Sequence, residues 1–226
     1  MDWNALWLSA RLSACTSLLL FVIGVPGAWW LATTRWRGRI FVEAVVALPL
    51  VLPPTVLGYY VLVGLGPNSF AGRWYESITG ALLPFSFEGL LIASVLYSLP
   101  FAVQPFTAAF RAIDPHLIEA SLNAGASPSK TFWRVTLPLA WHGILAGIVL
   151  SFAHTLGEFG VVLMVGGNIP GETRTVSVAI YDHVQTLDYS AAARTSIFLL
   201  AISFLVLSIT YALQRNFRLS PLLNPR

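Results

Sequence analysis

His154 and Glu158 stand one helical turn apart in the run HTLGEFG, residues 154–160. On a helix that spacing puts an imidazole and a carboxylate on one face, where they could pass a proton or begin a metal site. A metal needs more ligands, and no second His, Cys or Asp has ligand spacing to His154. The imidazole therefore reads better as a hydrogen-bonded packing residue. GASPSKT, residues 125–131, looks like part of a phosphate-binding loop. That motif requires a glycine directly before its lysine, where Ser129 stands, and a preceding strand, which is missing. This chain is expected to bind no ATP itself. Cys15 is alone in an apolar run, so there is no disulfide framework. No nucleophile–base pair supports covalent catalysis. The expectation is no catalytic residue and no metal ligand set.

The elements that hold these groups follow from composition. Of the 226 residues, 56% are hydrophobic and 10% are charged, against about 25% charged in a soluble domain. One core cannot hide so much apolar surface, so lipid is the expected solvent. The basic residues are dispersed, which argues against a nucleic-acid partner. Stretches of about 20 apolar residues, enough to cross the hydrocarbon as a helix, fall at 12–34, 44–65, 89–110, 139–165 and 195–214. The first is expected to be retained and not cleaved as a leader. Its apolar run is long, Asp2 sits ahead of it, and no A-x-A site closes it. The fold class expected is an all-α polytopic membrane protein, with residues 1–226 as a single domain of about five transmembrane helices.

An odd number of spans puts the termini on opposite sides. Arg35, Arg37, Arg39, Arg111, Lys130, Arg134, Arg215, Arg218 and Arg226 fall on one side, and only Arg11, Arg73, Arg174 and Arg194 on the other. The positive-inside rule then puts the N-terminus outside and the C-terminus in the cytoplasm. The segment 111–138 becomes a cytoplasmic loop. Pro49, Pro53 and Pro54 lie within the second stretch and Pro100 and Pro105 within the third. Each removes a backbone donor, which membranes tolerate where neighbouring helices or a wet cavity satisfy the freed carbonyls. Bundle packing and a path-lining role both remain open.

IDPHLIEASLNAGASPSKTFWRVTLP, residues 113–138, carries two helix starts. Asp114 can cap a helix with Pro115 at its first position, and Gly125 can close it in a left-handed conformation. Ser127-Pro128 repeats the start signal, and Pro138 marks the entry to the fourth span. A helix of about ten residues is marginal alone in water. Ile118, Ser121, Leu122 and Gly125 fall on one side of it, with Ala120 and Ala124 close by. That face suits docking in a partner's groove or packing on its own bundle.

The same passage resembles the signature of importer permeases of the ABC transporter class: E-A-A, three residues, G, nine residues, I, any residue, L-P. Glu119, Ala120, Gly125, Leu137 and Pro138 match at the family spacing, while Ser121 replaces the last alanine and Val135 the isoleucine. Two further runs are similar to the molybdate permease branch. These are ALPLVLPPTVLGYYVL and HTLGEFGVVLMVGGNIPGETRTVSVAIYDHVQ, and the likeness covers roughly residues 6–215. Sulfate permeases share the first part of the second run and usually lack N-I-P-G-E-T-R-T.

What the resemblance implies is a permease subunit of the bacterial cytoplasmic membrane, translocating molybdate with tungstate accepted alongside it, with a sulfate or thiosulfate permease as the alternative. It implies a homodimer, a cytoplasmic ATPase dimer that holds ATP and Mg, and an extracytoplasmic molybdate-binding protein. It makes Asp114, Pro115, Ile118, Glu119, Ala120, Ser121, Leu122, Gly125, Leu137 and Pro138 the ATPase-coupling residues. The candidates for pathway or gate are Pro49, Pro53, Pro54, Gly157, Glu158, Phe159, Gly160 and Arg174. Glu158 beside an anion path would repel the anion, so a structural or gating role fits it, bonding a broken helix or pairing with Arg174. Arg73 faces Glu76 and Glu88 in one outer segment, and Arg174 and Arg194 face Glu172, Asp182 and Asp188 in the other. There is no basic funnel for a dianion, so selection is expected in the binding protein. An ion-coupled carrier is a less favoured alternative, since no inverted repeat is visible.

Overall fold

The structure, a computed structural model, describes residues 2–218. They form helices and connecting turns, with no strand among them. The helices are α1 (Trp3–Thr33), α2 (Arg39–Val51), α3 (Pro54–Leu65), α4 (Phe70–Thr79), α5 (Phe87–Arg111) and α6 (Pro115–Asn123). They continue with α7 (Pro128–Thr131), α8 (Leu137–Leu156), α9 (Gly160–Gly166), α10 (Val176–Gln185) and α11 (Tyr189–Arg218). Arg226 of the basic tail lies outside the described residues. Among those described, four helices are long and apolar enough to cross a membrane, or five if α2 and α3 count as one bent span.

Two stretches expected as single spans are broken. Residues 44–65 fold as α2 and α3, bent by 114°. Leu52 is extended ahead of Pro53, and Pro54 opens α3. A residue before proline avoids the helical region, and proline suits a helix's first turn, so tandem prolines end one helix and start the next. Residues 139–165 also fail to form one helix. α8 stops at Leu156, and α9 restarts at Gly160 after a non-helical Phe159 (φ −129°, ψ −63°). At its other end α8 reaches further back than expected. α7 runs into it through a π-turn at Phe132–Thr136, where the Leu137 N–H donates to the Phe132 carbonyl. The wider turn absorbs Pro138, so the loop's second helix is the foot of the span.

The centre of the bundle is α1, α5 and α8, sharing Leu20, Ala28, Leu31, Ala102, Phe106, Phe110, Ala140 and Ile144. Lipid tails are as apolar as leucine, so close fit drives this packing and not water expulsion. The Phe106 ring, fully buried, occupies the space beside Gly147, where an added Cβ would stand 2.5 Å from it. At Gly143 a Cβ would stand 2.4 Å from the Ala109 methyl. The run GILAG, residues 143–147, is thus a small-xxx-small contact surface. A second cluster joins α3, α5 and α9 through Val61, Leu65, Ala93, Val161 and Val165.

Candidate functional site

The segment 114–138 folds from local signals. The Asp114 carboxylate accepts from the His116 N–H at 2.9 Å, and Pro115 opens α6. At the other end Gly125 takes φ +83°, its N–H donates to the Leu122 carbonyl at 2.9 Å, and the Ala126 N–H donates to Ser121 at 3.2 Å. That pair of bonds is the Schellman arrangement. Ser127 caps α7 by accepting from the Lys130 N–H at 3.3 Å. No residue of α6 is buried. Ile118 and Ser121 turn partly inward, with Ser121 Oγ 3.0 Å from Thr131 Oγ1. Leu117, Glu119, Ala120, Leu122 and Gly125 are exposed. The face expected from spacing is therefore split: Ile118 and Ser121 hold the helix to the body, and Leu122 and Gly125 look outward. The Ser121–Thr131 contact marks the side of the helix that faces the body. Leu137 packs on the central cluster, and Pro138 is exposed.

The loop is anchored by a pair that motif spacing did not single out. Arg111, in the last turn of α5, forms an ion pair with Glu43 of α2 and donates to the Leu31 carbonyl of α1 at 3.4 Å. Glu43 is the only charged residue in the apolar run IFVEAVVALPLV, residues 40–51. A lone charge there is itself the signal. The pair borders a cavity of about 670 Å3 lined by Val46, Val103, Gln104 and Thr107 among others.

Glu158 occupies the break between α8 and α9 and is only 4% exposed. Its carboxyl neighbours the buried Ser94 hydroxyl on α5, the two fall short of hydrogen-bond geometry, and neither has another partner among the described residues. The expected pairing with Arg174 does not form. Arg174 Nε donates to Asn168 Oδ1 at 2.6 Å, and its other nitrogens face Asp182 at 3.5 Å and Asp2 at 4.0 Å. The loop 167–175 folds on itself around buried Thr173, whose hydroxyl donates to the Gly166 carbonyl at 2.6 Å. Those local bonds hold Arg174 away from the break. His154 does behave as a packing residue: Nδ1 is 2.9 Å from Ser98 Oγ, and its ring stacks on Phe101 at 3.9 Å. Ser98 also meets Thr155 at 2.8 Å.

The two breaks touch each other. A Cβ at Gly160 would stand 2.8 Å from Pro54 Cβ, and one at Gly58 would stand 2.8 Å from Met164 Cβ. So Pro53-Pro54 and Gly157–Gly160 form one discontinuous core, where α3 lies along α9. Pro49 is buried on the far side of the bend, and Phe159 stacks toward Tyr181 with ring centroids 5.0 Å apart. No group of three His, Cys, Asp or Glu that could hold a metal occurs among the described residues.

A bundle of apolar helices, two of its crossings interrupted and one exposed capped helix at an end, defines a membrane transport subunit. Residues 24–219 match the family described as binding-protein-dependent transport system inner membrane component, and the chain belongs to it. It is a multi-pass inner-membrane transport component and not an enzyme. The chain is 50% identical to the molybdenum transport system permease protein ModB of Azotobacter vinelandii, over 95% of both chains. It is 37% identical to the protein of that name from Escherichia coli K12, over 95% of this chain and 94% of the relative. The sulfate transport system permease protein CysT of E. coli K12 is 33% identical over 87% of this chain and 70% of its own length. Among solved structures, a bacterial ABC transporter importing the acidic polysaccharide alginate superposes with a TM-score of 0.76 at 20% identity. That match covers 96% of this chain and 79% of the other. The inward-facing MetNI methionine ABC transporter gives 0.74 at 18% identity, over 96% and 95%. At those identities the likeness is one of fold.

Proposed function

We propose that this chain is the permease subunit of an ATP-driven importer that moves molybdate, and tungstate beside it, into the cytoplasm. The observation that carries this reading is the 50% identity to a molybdenum permease along 95% of both chains. Two copies pair to form the passage, with the N-terminus outside and the C-terminus inside. A cytoplasmic ATPase dimer, holding ATP and Mg, receives α6 in a cleft, and an extracytoplasmic molybdate-binding protein delivers cargo at the opposite face. The exposure of Leu117, Ala120, Leu122 and Gly125 supports α6 as the docked element. Residues 114–138 are then the coupling segment, and Leu137 and Pro138 tie it to α8.

ATP shifts the transporter only if it binds the two conformations of the assembly with different free energies. Motion of α6 passes through α7 and the π-turn into α8, and so to the break at Glu158. The interleaved breaks around Pro54 and Gly160 form the gate that yields. The cargo needs only a weak passage, because tight binding inside would slow release. A sulfate or thiosulfate permease is the second reading, favoured by the likeness to CysT across 87% of this chain.

The test is uptake of labelled molybdate by vesicles holding the chain, its ATPase and its binding protein. Uptake that requires ATP and resists excess sulfate is expected. Uptake by the chain alone, or driven by an ion gradient, would refute the coupling, and full competition by sulfate would move the substrate assignment.

A further inference from the structure

α4 is short and carries an exposed apolar stripe. Its ten residues cannot cross a bilayer, which needs about 20, and sequence periodicity divides them into three faces. Ala71 and Tyr75 pack on the cluster of Val61, Leu65 and Leu83. Arg73 and Glu76 are exposed on the opposite edge. Between them Phe70, Trp74 and Ile78 form a stripe at i, i+4 and i+8, exposed by 83%, 60% and 65%. The helix is held rigidly: Ser69 Oγ accepts from the Gly72 N–H at 2.9 Å, and a Cβ on Gly72 would stand 2.1 Å from the Gly66 carbonyl oxygen at the end of α3. Gly80 closes it at φ +70°.

Its depth is set by the segment that follows. Ala81, Leu82 and Phe85 share a pocket with Leu8 and Arg11 of α1, and the Arg11 guanidinium lies 4.1 Å from the centre of the Phe87 ring. α4 is therefore level with the N-terminal end of α1, where Trp3 and Trp7 are also exposed. On the neighbouring α3, Tyr59, Tyr60 and Val63 are exposed as well. Tryptophan and tyrosine concentrate at membrane–water boundaries because their rings carry an apolar body and a polar edge.

We propose that α4 is an interfacial helix, its Phe70–Trp74–Ile78 stripe seated in the headgroup–acyl boundary on the side of the α1 N-terminus, with Arg73 and Glu76 in the water above it. The lipid interface is the occupant because the stripe lies level with exposed Trp3 and Trp7 at the end of a helix long and apolar enough to span, and its polar edge lies where a partly immersed helix would need it. The assignment holds whichever side of the membrane that end occupies, and is independent of the cargo.

Spin labels on single cysteines test it, in full-length Cys15→Ser protein reconstituted into phosphatidylethanolamine–phosphatidylglycerol vesicles. Labels at Phe70→Cys, Trp74→Cys and Ile78→Cys should collide with oxygen over a water-soluble nickel chelate by about threefold or more, and labels at Arg73→Cys and Glu76→Cys should reverse that preference. Should cysteine variants misfold, brominated lipid in the same vesicles reads the wild-type chain directly. Trp74→Phe should then remove a quenched component of the tryptophan emission. Nickel access at 74 and 78 equal to that at 73 and 76 would overturn the proposal. So would protection of the stripe from both reagents, which would mean a protein cover, or an emission unchanged by bromine at Trp74.

Discussion

The exposed loop 114–138 and the buried break 157–160 are built on opposite terms. In the loop the polar groups that shape the chain are satisfied by neighbours a few residues away: Asp114 by His116, Ser127 by Lys130, Gly125 by Leu122. In the break a buried carboxyl and a buried hydroxyl face each other without hydrogen-bond geometry or any other partner, and the neighbours that shape the site come from α3 and α5. A locally satisfied helix keeps its shape while the rest of the molecule moves, as a handle must. An unsatisfied buried group is costly in any one arrangement, and such cost is tolerated where a second arrangement is used. On the proposed function, the first region would transmit and the second respond.

The comparison can be broken at either end. Gly125→Pro should have the largest effect. Proline cannot adopt φ +83° and loses the N–H that donates to Leu122, so ATP-driven uptake should fall about tenfold or more. Nothing lies within 4 Å of an added Cβ there, so immunoblots should find the protein in the membrane at normal levels. Normal uptake would mean the loop is not the handle. Gly147→Leu drives a side chain into the Phe106 ring. It should cost roughly 1–3 kcal/mol of stability in detergent unfolding, and an unchanged midpoint would contradict the α5–α8 contact.

Glu158→Gln sharpens the contrast, since it removes the ionisable proton and keeps the shape. Stability should stay within about 1 kcal/mol of wild type or rise, while uptake falls severalfold. Unchanged uptake would take Glu158 out of the mechanism. The smallest effect is expected at Asp188, which caps α11 by accepting from the Ala191 N–H and the Ser190 hydroxyl, each at 3.0 Å. The Ala191 N–H first and the Ser190 hydroxyl second hold its carboxyl below the usual value of 3.8. A depressed pKa stabilises above that value and the contribution is lost as pH falls through the folded one. Asp188→Ala should therefore speed amide exchange at Ala191 near neutral pH and make no difference in strong acid.

The membrane class, the helices and the capped segment 114–138 were legible because each rests on neighbours in the chain. Apolar runs long enough to cross lipid, an Asp-Pro start and a glycine stop state their own outcome. The small-residue surface GILAG and the solitary Glu43 were equally visible signals. Pro53-Pro54 marked a discontinuity without its 114° angle. Three outcomes needed the tertiary structure. Arg174 turned to Asp182 and Asp2, because the Thr173-centred loop holds it there. The side of α6 that faces the body is marked by Thr131, which meets Ser121 across a turn. The seating of Gly160 on Pro54 joins residues more than a hundred positions apart. By itself the sequence determined which backbone groups find partners nearby, since caps, turns and apolar length act over a few residues. Only the folded bundle decided which distant side chains meet, because close packing between helices selects partners by shape.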